Sequence, residues 1–176
     1  ADLGVTVFPV LLALCNTLLY RHAGQKDLIV GCPAANRELE QTQSMMGLFV
    51  NTLAVRSTLK TDEGFELLVR DVQGAFQAAL SNQSCPFDRL LDSLKVERTP
   101  SRNPLFDVFV ALEGAEWAQF GRAPLHMQPV ELPHDRSKFD LSFYFKETST
   151  GAYDVHIEYC TALFRDESIH RIGRLA

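Results

Sequence analysis

Three stretches of the chain are more specific than the isolated histidines and cysteines. The first runs Met46-Gly47-Leu48-Phe49-Val50-Asn51-Thr52-Leu53 and closes with Arg56. The second is Asn82-Gln83-Ser84-Cys85-Pro86-Phe87-Asp88, and the third is Arg98-Thr99-Pro100-Ser101-Arg102-Asn103-Pro104-Leu105-Phe106. Amides and guanidinium groups supply directional hydrogen bonds, while glycine and proline shape the backbone that carries them. Each stretch also has a local, purely structural reading. Gly47 gives backbone freedom ahead of a strand, Pro86 opens a helix, and Asn103-Pro104 is a turn, because the residue before proline avoids the α region.

Other chemistries lack their signatures. The five histidines, His22, His126, His134, His156 and His170, stand apart and show no metal-ligand spacing. His156 reads as a solvated strand residue, and His126 and His134 as surface residues. Cys85 has no base nearby to activate it and reads as a packed thiol. Cys15, Cys32, Cys85 and Cys160 form no C-x-x-C pair and read as scattered buried thiols in a reducing compartment. Neither phosphate-binding glycine motif occurs, nor does a G-x-S-x-G elbow, and no metal is expected.

The elements that position these stretches follow from apolar spacing. With 176 residues, 46% apolar and 22% charged, the chain can build one packed domain or one large lobe. A formal charge of −5 argues against a nucleic-acid binder, and the apolar run Val5–Tyr20 is too short and too interrupted for a membrane span. A soluble, cytoplasmic protein is expected. A first helix is predicted from Thr6 to His22, capped by Thr6 and ended by Gly24. Strands follow over Asp27–Cys32, stopped by Pro33, and over Phe49–Leu59. A helix capped by Thr61 or Asp62 runs to about Leu80 with an apolar face, Gly74 allowing close packing within it. A short helix follows Pro86, then a strand over Leu105–Leu112. Phe139, Leu141, Phe143 and Phe145 alternate with polar residues, as do Tyr153, Val155, Ile157 and Tyr159, which predicts a hairpin with one buried face. A last helix uses Ile169 and Ile172. The irregular segment 113–138, with Trp117 and Phe120, is long enough to cross to another unit. The order predicts an α/β fold, a mixed sheet flanked by helices.

Taken together and in order, the three stretches closely resemble the C-terminal half of a nonribosomal peptide synthetase condensation domain. Gly47, Phe49, Val50, Asn51, Thr52 and Arg56 match that family's G-x-F-V-N-T…R motif. Asn82, Gln83, Pro86, Phe87 and Asp88 match H/N-Q-x-x-P-F-E/D, and Arg98, Ser101, Arg102, Asn103, Pro104 and Leu105 match R-D-x-S-R-N-P-L. Leu19-Tyr20-Arg21, Gly24-Gln25, Val30 to Ala34, Arg37, Phe139-Asp140-Leu141 and Glu158-Tyr159 resemble the family as well. Thr99 stands where the family usually has Asp, and Ser84 and Cys85 replace the usual acidic and larger apolar residues.

The resemblance implies one lobe of a chloramphenicol acetyltransferase-like fold, with residues 1–176 as the C-terminal subdomain. In such domains two lobes form a V around a tunnel. Carrier domains present thioester-linked substrates on phosphopantetheine arms from opposite ends, and the acceptor amine attacks the donor thioester. The implied partners are the N-terminal lobe, donor and acceptor carrier domains and a neighbouring adenylation domain, with no cofactor bound directly. The family's H-H-x-x-x-D-G motif, which carries the catalytic histidine, is absent from these residues. The chain alone is therefore expected to be inactive and to hold no catalytic residue. Asn51 is expected near the tunnel, and Arg37 either pairs with the aspartate of the histidine motif, since a guanidinium fork suits a carboxylate, or is a surface arginine. A noncatalytic carrier-docking lobe, an acyl-CoA-dependent acyltransferase and an epimerization domain of the same fold are the alternatives.

Overall fold

A computed structural model describes residues 4–97, 99, 102–114, 130, 136–148 and 150–174. Arg98, Ser101, Trp117, Phe120, His126, His134 and most of segment 113–138 lie outside the described residues.

The chain opens with helix α1 (Val7–Ala23), which Gly24 closes in the left-handed conformation, φ 70°, its N–H donating to the Tyr20 carbonyl at 2.7 Å. Thr6 occupies the cap position but makes no side-chain cap bond. Strand β1 (Asp27–Ala34) pairs antiparallel with β2 (Asn51–Thr58), from Asp27↔Thr58 to Ala34↔Asn51. The strand does not stop at Pro33, which lies opposite Thr52. Proline is tolerated there because the parallel ladder to β3 pairs only Val30 and Gly31, so the pyrrolidine sits where β1 donates to no third strand. Between β1 and β2 lies a four-residue helix, α2 (Glu40–Gln43), that no apolar spacing announces.

Helix α3 (Phe65–Leu80) is capped by Gly64, not by Thr61 or Asp62. The Thr61 hydroxyl accepts from Lys26 Nζ at 3.2 Å instead. Val69 and Val72 are buried, Leu68, Phe76 and Leu80 partly so, and Phe65 is largely exposed, so the apolar face is narrower than its spacing suggests. Gly74 does not serve close packing, since a Cβ built there meets nothing within 4 Å. Gly74→Ala is therefore expected to stabilise the protein by about 0.5–1 kcal/mol, because alanine loses less backbone entropy in a helix. Chemical denaturation checks this, and a loss of stability would contradict it.

Helix α4 (Phe87–Leu94) starts at Pro86 as expected. Strands β3 (Val108–Glu113), β4 (Leu141–Glu147) and β5 (Tyr153–Tyr159) complete a mixed five-stranded sheet of order β2-β1-β3-β4-β5. The β1–β3 and β3–β4 ladders are parallel and the outer pairs antiparallel. The hairpin register runs from Leu141↔Tyr159 to Glu147↔Tyr153. Helix α5 (Asp166–Gly173) buries Ile169 and Ile172.

The core lies on one face of the sheet. Val30, Cys32, Val55, Val110, Leu141, Phe143 and Phe145 pack there beneath Leu12 and Cys15 of α1, Val69 and Val72 of α3 and the two isoleucines of α5. The rings of Phe8 and Phe76 meet at 4.8 Å and join α1 to α3. Burial pushes the Cys15 thiol up to about 12 and raises that of Cys32 as well, which keeps both protonated and unreactive. Cys85 is exposed, contrary to its reading as a packed thiol. Strand alternation sends Gly31, Phe109, Ser142 and Tyr144 to the opposite face. There Phe87, Phe106, Phe139 and Phe109 form a row of rings, the last pair stacked at 4.6 Å and 3°. Among the described residues, no helix is long and apolar enough to cross a membrane.

Candidate functional site

The first two motifs are far apart in the chain, and the fold joins them through one side chain. Asn51 stands at the first position of β2, and the loop after α3 passes beside it. Its Nδ2 donates to the carbonyls of Gln83 at 2.8 Å and Cys85 at 2.6 Å. Its Oδ1 accepts from the backbone N–H of Thr52 at 2.9 Å and of Phe87 at 3.3 Å. The Phe87 N–H belongs to the first turn of α4, where no intrahelical acceptor exists, so Asn51 caps that helix from a distant strand. The amide thus engages both of its hydrogens and both lone-pair directions of its oxygen, as only asparagine or glutamine can.

The remaining residues of the second motif extend this fastening. Asn82 Nδ2 donates to the Ala78 carbonyl at 2.9 Å and ends α3. Gln83 Oε1 accepts from the Asn36 N–H at 3.2 Å, and its Nε2 donates to Glu38 Oε1 at 3.0 Å. Pro86 occupies the cap position of α4, Phe87 lies 5.5 Å from the Phe106 ring, and Asp88 is in the first helical turn, where the backbone N–H groups favour a carboxylate.

Arg37 turns inward on its own loop. Its guanidinium donates to the carbonyls of Thr42, Met45 (2.8 Å) and Gly47 (3.4 Å), and lies 4.3 Å from the centroid of the Phe49 ring. Three of its five N–H donors are used in this way, and the cation–π contact adds to them. The loop so gathered presents Met46, Leu48 and Val50 to the outside, at 99%, 95% and 60% exposure.

The third stretch touches the second only where Phe106 meets Phe87, and its polar residues lie elsewhere among the described residues. Arg102 pairs with Asp107 through two parallel bonds, Nε to Oδ1 at 2.8 Å and Nη2 to Oδ2. Asn103 Nδ2 donates to the Lys138 carbonyl at 2.9 Å, tying this turn to the start of β4. Pro104 is half-buried and precedes Leu105, whose φ of 78° is a strained value for a bulky side chain. Arg56 makes a matching fork with Asp27, at 2.8 and 2.6 Å, which holds that carboxyl below its ordinary range. The two forks flank a groove of about 610 Å³ that Ile29, Leu105 and Phe106 also line. Asp140 is shifted the other way, upward, by burial and by Asp107, with Arg102 opposing.

The sequence motifs therefore separate into two clusters. Asn51, Asn82, Gln83, Pro86 and Phe87 meet Arg37, Gly47 and Phe49 at one end of the sheet, while Arg56, Arg102, Asn103 and Pro104 gather at the other. The partner carboxylates Asp27, Asp107 and Glu38 were not among the expected site residues. The antiparallel register pairs Arg56 with Ile29, two residues from Asp27, so that fork spans 29 residues and depends on strand pairing, whereas Arg102 and Asp107 are five positions apart and had a local signal. The link from Gln83 to Glu38 spans 45 residues and had none. Among the described residues no group of three His, Cys, Asp or Glu could hold a metal ion.

Comparison with known proteins shows the family and the fold. The family profile described as "Condensation domain" matches residues 1–174. The chain is 39% identical over 171 residues to bacitracin synthase 2 of Bacillus licheniformis, covering 97% of this chain and 6% of that protein. It is 37% identical over 174 residues to tyrocidine synthase 3 of Brevibacillus parabrevis, covering 99% of this chain and 3% of that one. Among solved structures, a four-domain nonribosomal peptide synthetase bound to AMP and glycine superposes with a TM-score of 0.86 at 21% identity, over 96% of this chain and 14% of that chain. The X-domain from teicoplanin biosynthesis gives 0.82 at 22% identity, over 98% of this chain and 40% of that chain.

Proposed function

The chain belongs to the condensation-domain family of nonribosomal peptide synthetases, and from that premise we propose that it is the C-terminal lobe of a domain that forms amide bonds between carrier-tethered aminoacyl or peptidyl thioesters. The observation that carries this reading is the order of the three motifs over residues 47–105, the first two of them fastened together by Asn51. In this reading the Arg37 loop, with its exposed Met46, Leu48 and Val50, meets the other lobe across the reaction chamber. Arg37 reaches the aspartate of the histidine motif with the donors that its own loop leaves over. The upstream and downstream carrier domains deliver substrates on phosphopantetheine arms, and an adenylation domain lies beside them.

The reaction needs little covalent chemistry from this lobe. The acceptor nitrogen attacks the donor thioester carbon, the carbon–sulfur bond breaks, and the proton lost by nitrogen ends on the released thiol or in solvent. A positioned histidine assisting that proton contributes typically about 10²–10⁴-fold, and holding both arms in register can supply several kcal/mol more. The histidine is not among these residues, so this lobe's share is orientation.

The test is an amide-formation assay with two loaded carrier domains. The complete domain bearing this sequence is expected to form product, and the 176-residue chain alone to give none above background. Turnover by the chain unaided would overturn the assignment as one lobe. Failure of the complete domain would favour a docking role, and acceptance of an acyl-CoA in place of the donor carrier would favour a free-standing acyltransferase.

A further inference from the structure

The loop that Arg37 gathers is also anchored at its base. Asn36 adopts a left-handed backbone, φ 52°, which asparagine tolerates better than most side chains. Its N–H donates to Gln83 Oε1 at 3.2 Å, and Gln83 Nε2 donates to Glu38 Oε1 at 3.0 Å. One side-chain amide therefore grips the residue before Arg37 and the residue after it. Gln83 is itself fixed from behind, because its carbonyl accepts from Asn51 at 2.8 Å.

We infer that Gln83 is a positioning residue, whose amide sets the direction in which Arg37 leaves the end of β1 and so fixes the loop over residues 37–49. The inference rests on the reading of this chain as one wall of a reaction chamber, but the positioning is a property of the resting structure and can be measured without turnover. The site requires an acceptor for the Asn36 N–H and a donor for the Glu38 carboxylate at the end of one side chain, and a primary amide supplies both. Gln83→Glu keeps the acceptor and sets a second carboxylate against Glu38. Adding Glu38→Gln restores a donor–acceptor pair with the roles exchanged.

The experiment uses the complete domain with both loaded carriers and reads two quantities, amide hydrogen exchange in residues 37–49 and the single-turnover rate. For Gln83→Glu, exchange in that loop is expected to rise about tenfold while β1 and β2 stay protected, as for a local opening. The rate is expected to fall about tenfold through misorientation. The double variant Gln83→Glu/Glu38→Gln is expected to return both quantities to within about threefold of the parent, since it re-forms a hydrogen bond of the same kind. Unchanged loop exchange in Gln83→Glu, or no recovery of protection in the double variant, would overturn the inference. If the parent domain forms no amide at all, the condensation reading falls, and the exchange data still decide whether Gln83 positions the loop.

Discussion

Arg37→Ala in the complete domain is expected to lower the single-turnover rate of amide formation by about 10²-fold, the scale on which a misplacement of roughly 1 Å acts. Two losses combine. Locally, the carbonyls of Thr42, Met45 and Gly47 lose the guanidinium they share, and Phe49 loses its cation. On the proposed reading, in which the donors left on the guanidinium meet the carboxylate of the histidine motif in the other lobe, that pair is lost as well. Arg37→Lys keeps the charge but cannot stack flat on Phe49 while donating in three directions, so it should recover little of the rate. Carrier loading, which happens elsewhere in a synthetase, should not change. The two losses separate by measurement. If the local one dominates, hydrogen exchange over residues 37–49 rises in step with the fall in rate. If the cross-chamber pair dominates, the rate falls while exchange stays near the parent value. A parent-like rate for Arg37→Ala would remove Arg37 from the functional site altogether.

The parts of this fold that were legible in the sequence are those whose signal is local. The alternation of Leu141 to Lys146 and of Tyr153 to Tyr159 marks the hairpin, because a slip of one residue would take Phe143 and Phe145 out of the core, but the single buried face did not hold throughout: Phe139 lies on the opposite face against Phe109, and Val155 is exposed. Gly24 and Pro86 mark helix ends through backbone constraints that need no partner. Cap choice failed at α3 because residues 61–63 form a turn of their own and the helix begins only after Gly64. The stop at Pro33 failed because its cost depends on how far the neighbouring ladder extends, and that is set by β3, about 75 residues later in the chain. The strand order was equally hidden, since apolar runs say which residues are buried but not which strand lies beside which. At the site, motif membership identified Asn51 and Gln83 without indicating what they do. Their bonds reach residues 32 to 47 positions away, and through them Asn51 fastens the start of β2 to the loop before α4 and to its first turn.

Gly31 is the position where this long-range packing is least tolerant. A Cβ built on it would lie 2.2, 2.4 and 2.8 Å from three ring atoms of Phe106, distances at which the ring must move. Phe106 has little room, being 4% exposed and set between Phe87 at 5.5 Å and Phe139 at 5.6 Å. Phe139 in turn stacks on Phe109 of β3, so displacement of one ring propagates along the row to the turn that carries Arg102 and Asn103. β1 cannot retreat either, because it is hydrogen-bonded to β2 on one side and to β3 on the other at this residue. Gly31→Ala is accordingly expected to cost about 3 kcal/mol, the upper end of the usual overpacking range. At about 2–4 °C per kcal/mol for a chain of this size, the unfolding midpoint should fall by roughly 6–12 °C. Phe106→Ala alone should cost about 3–5 kcal/mol, as other buried aromatic truncations do. Combined, the two should cost about 2 kcal/mol less than their sum, because the methyl group at position 31 then enters space that the ring has vacated. Chemical denaturation of the domain and its three variants completes the cycle. A Gly31→Ala variant as stable as the parent, or strictly additive losses in the double variant, would show that the ring yields freely and that glycine is not required beneath it.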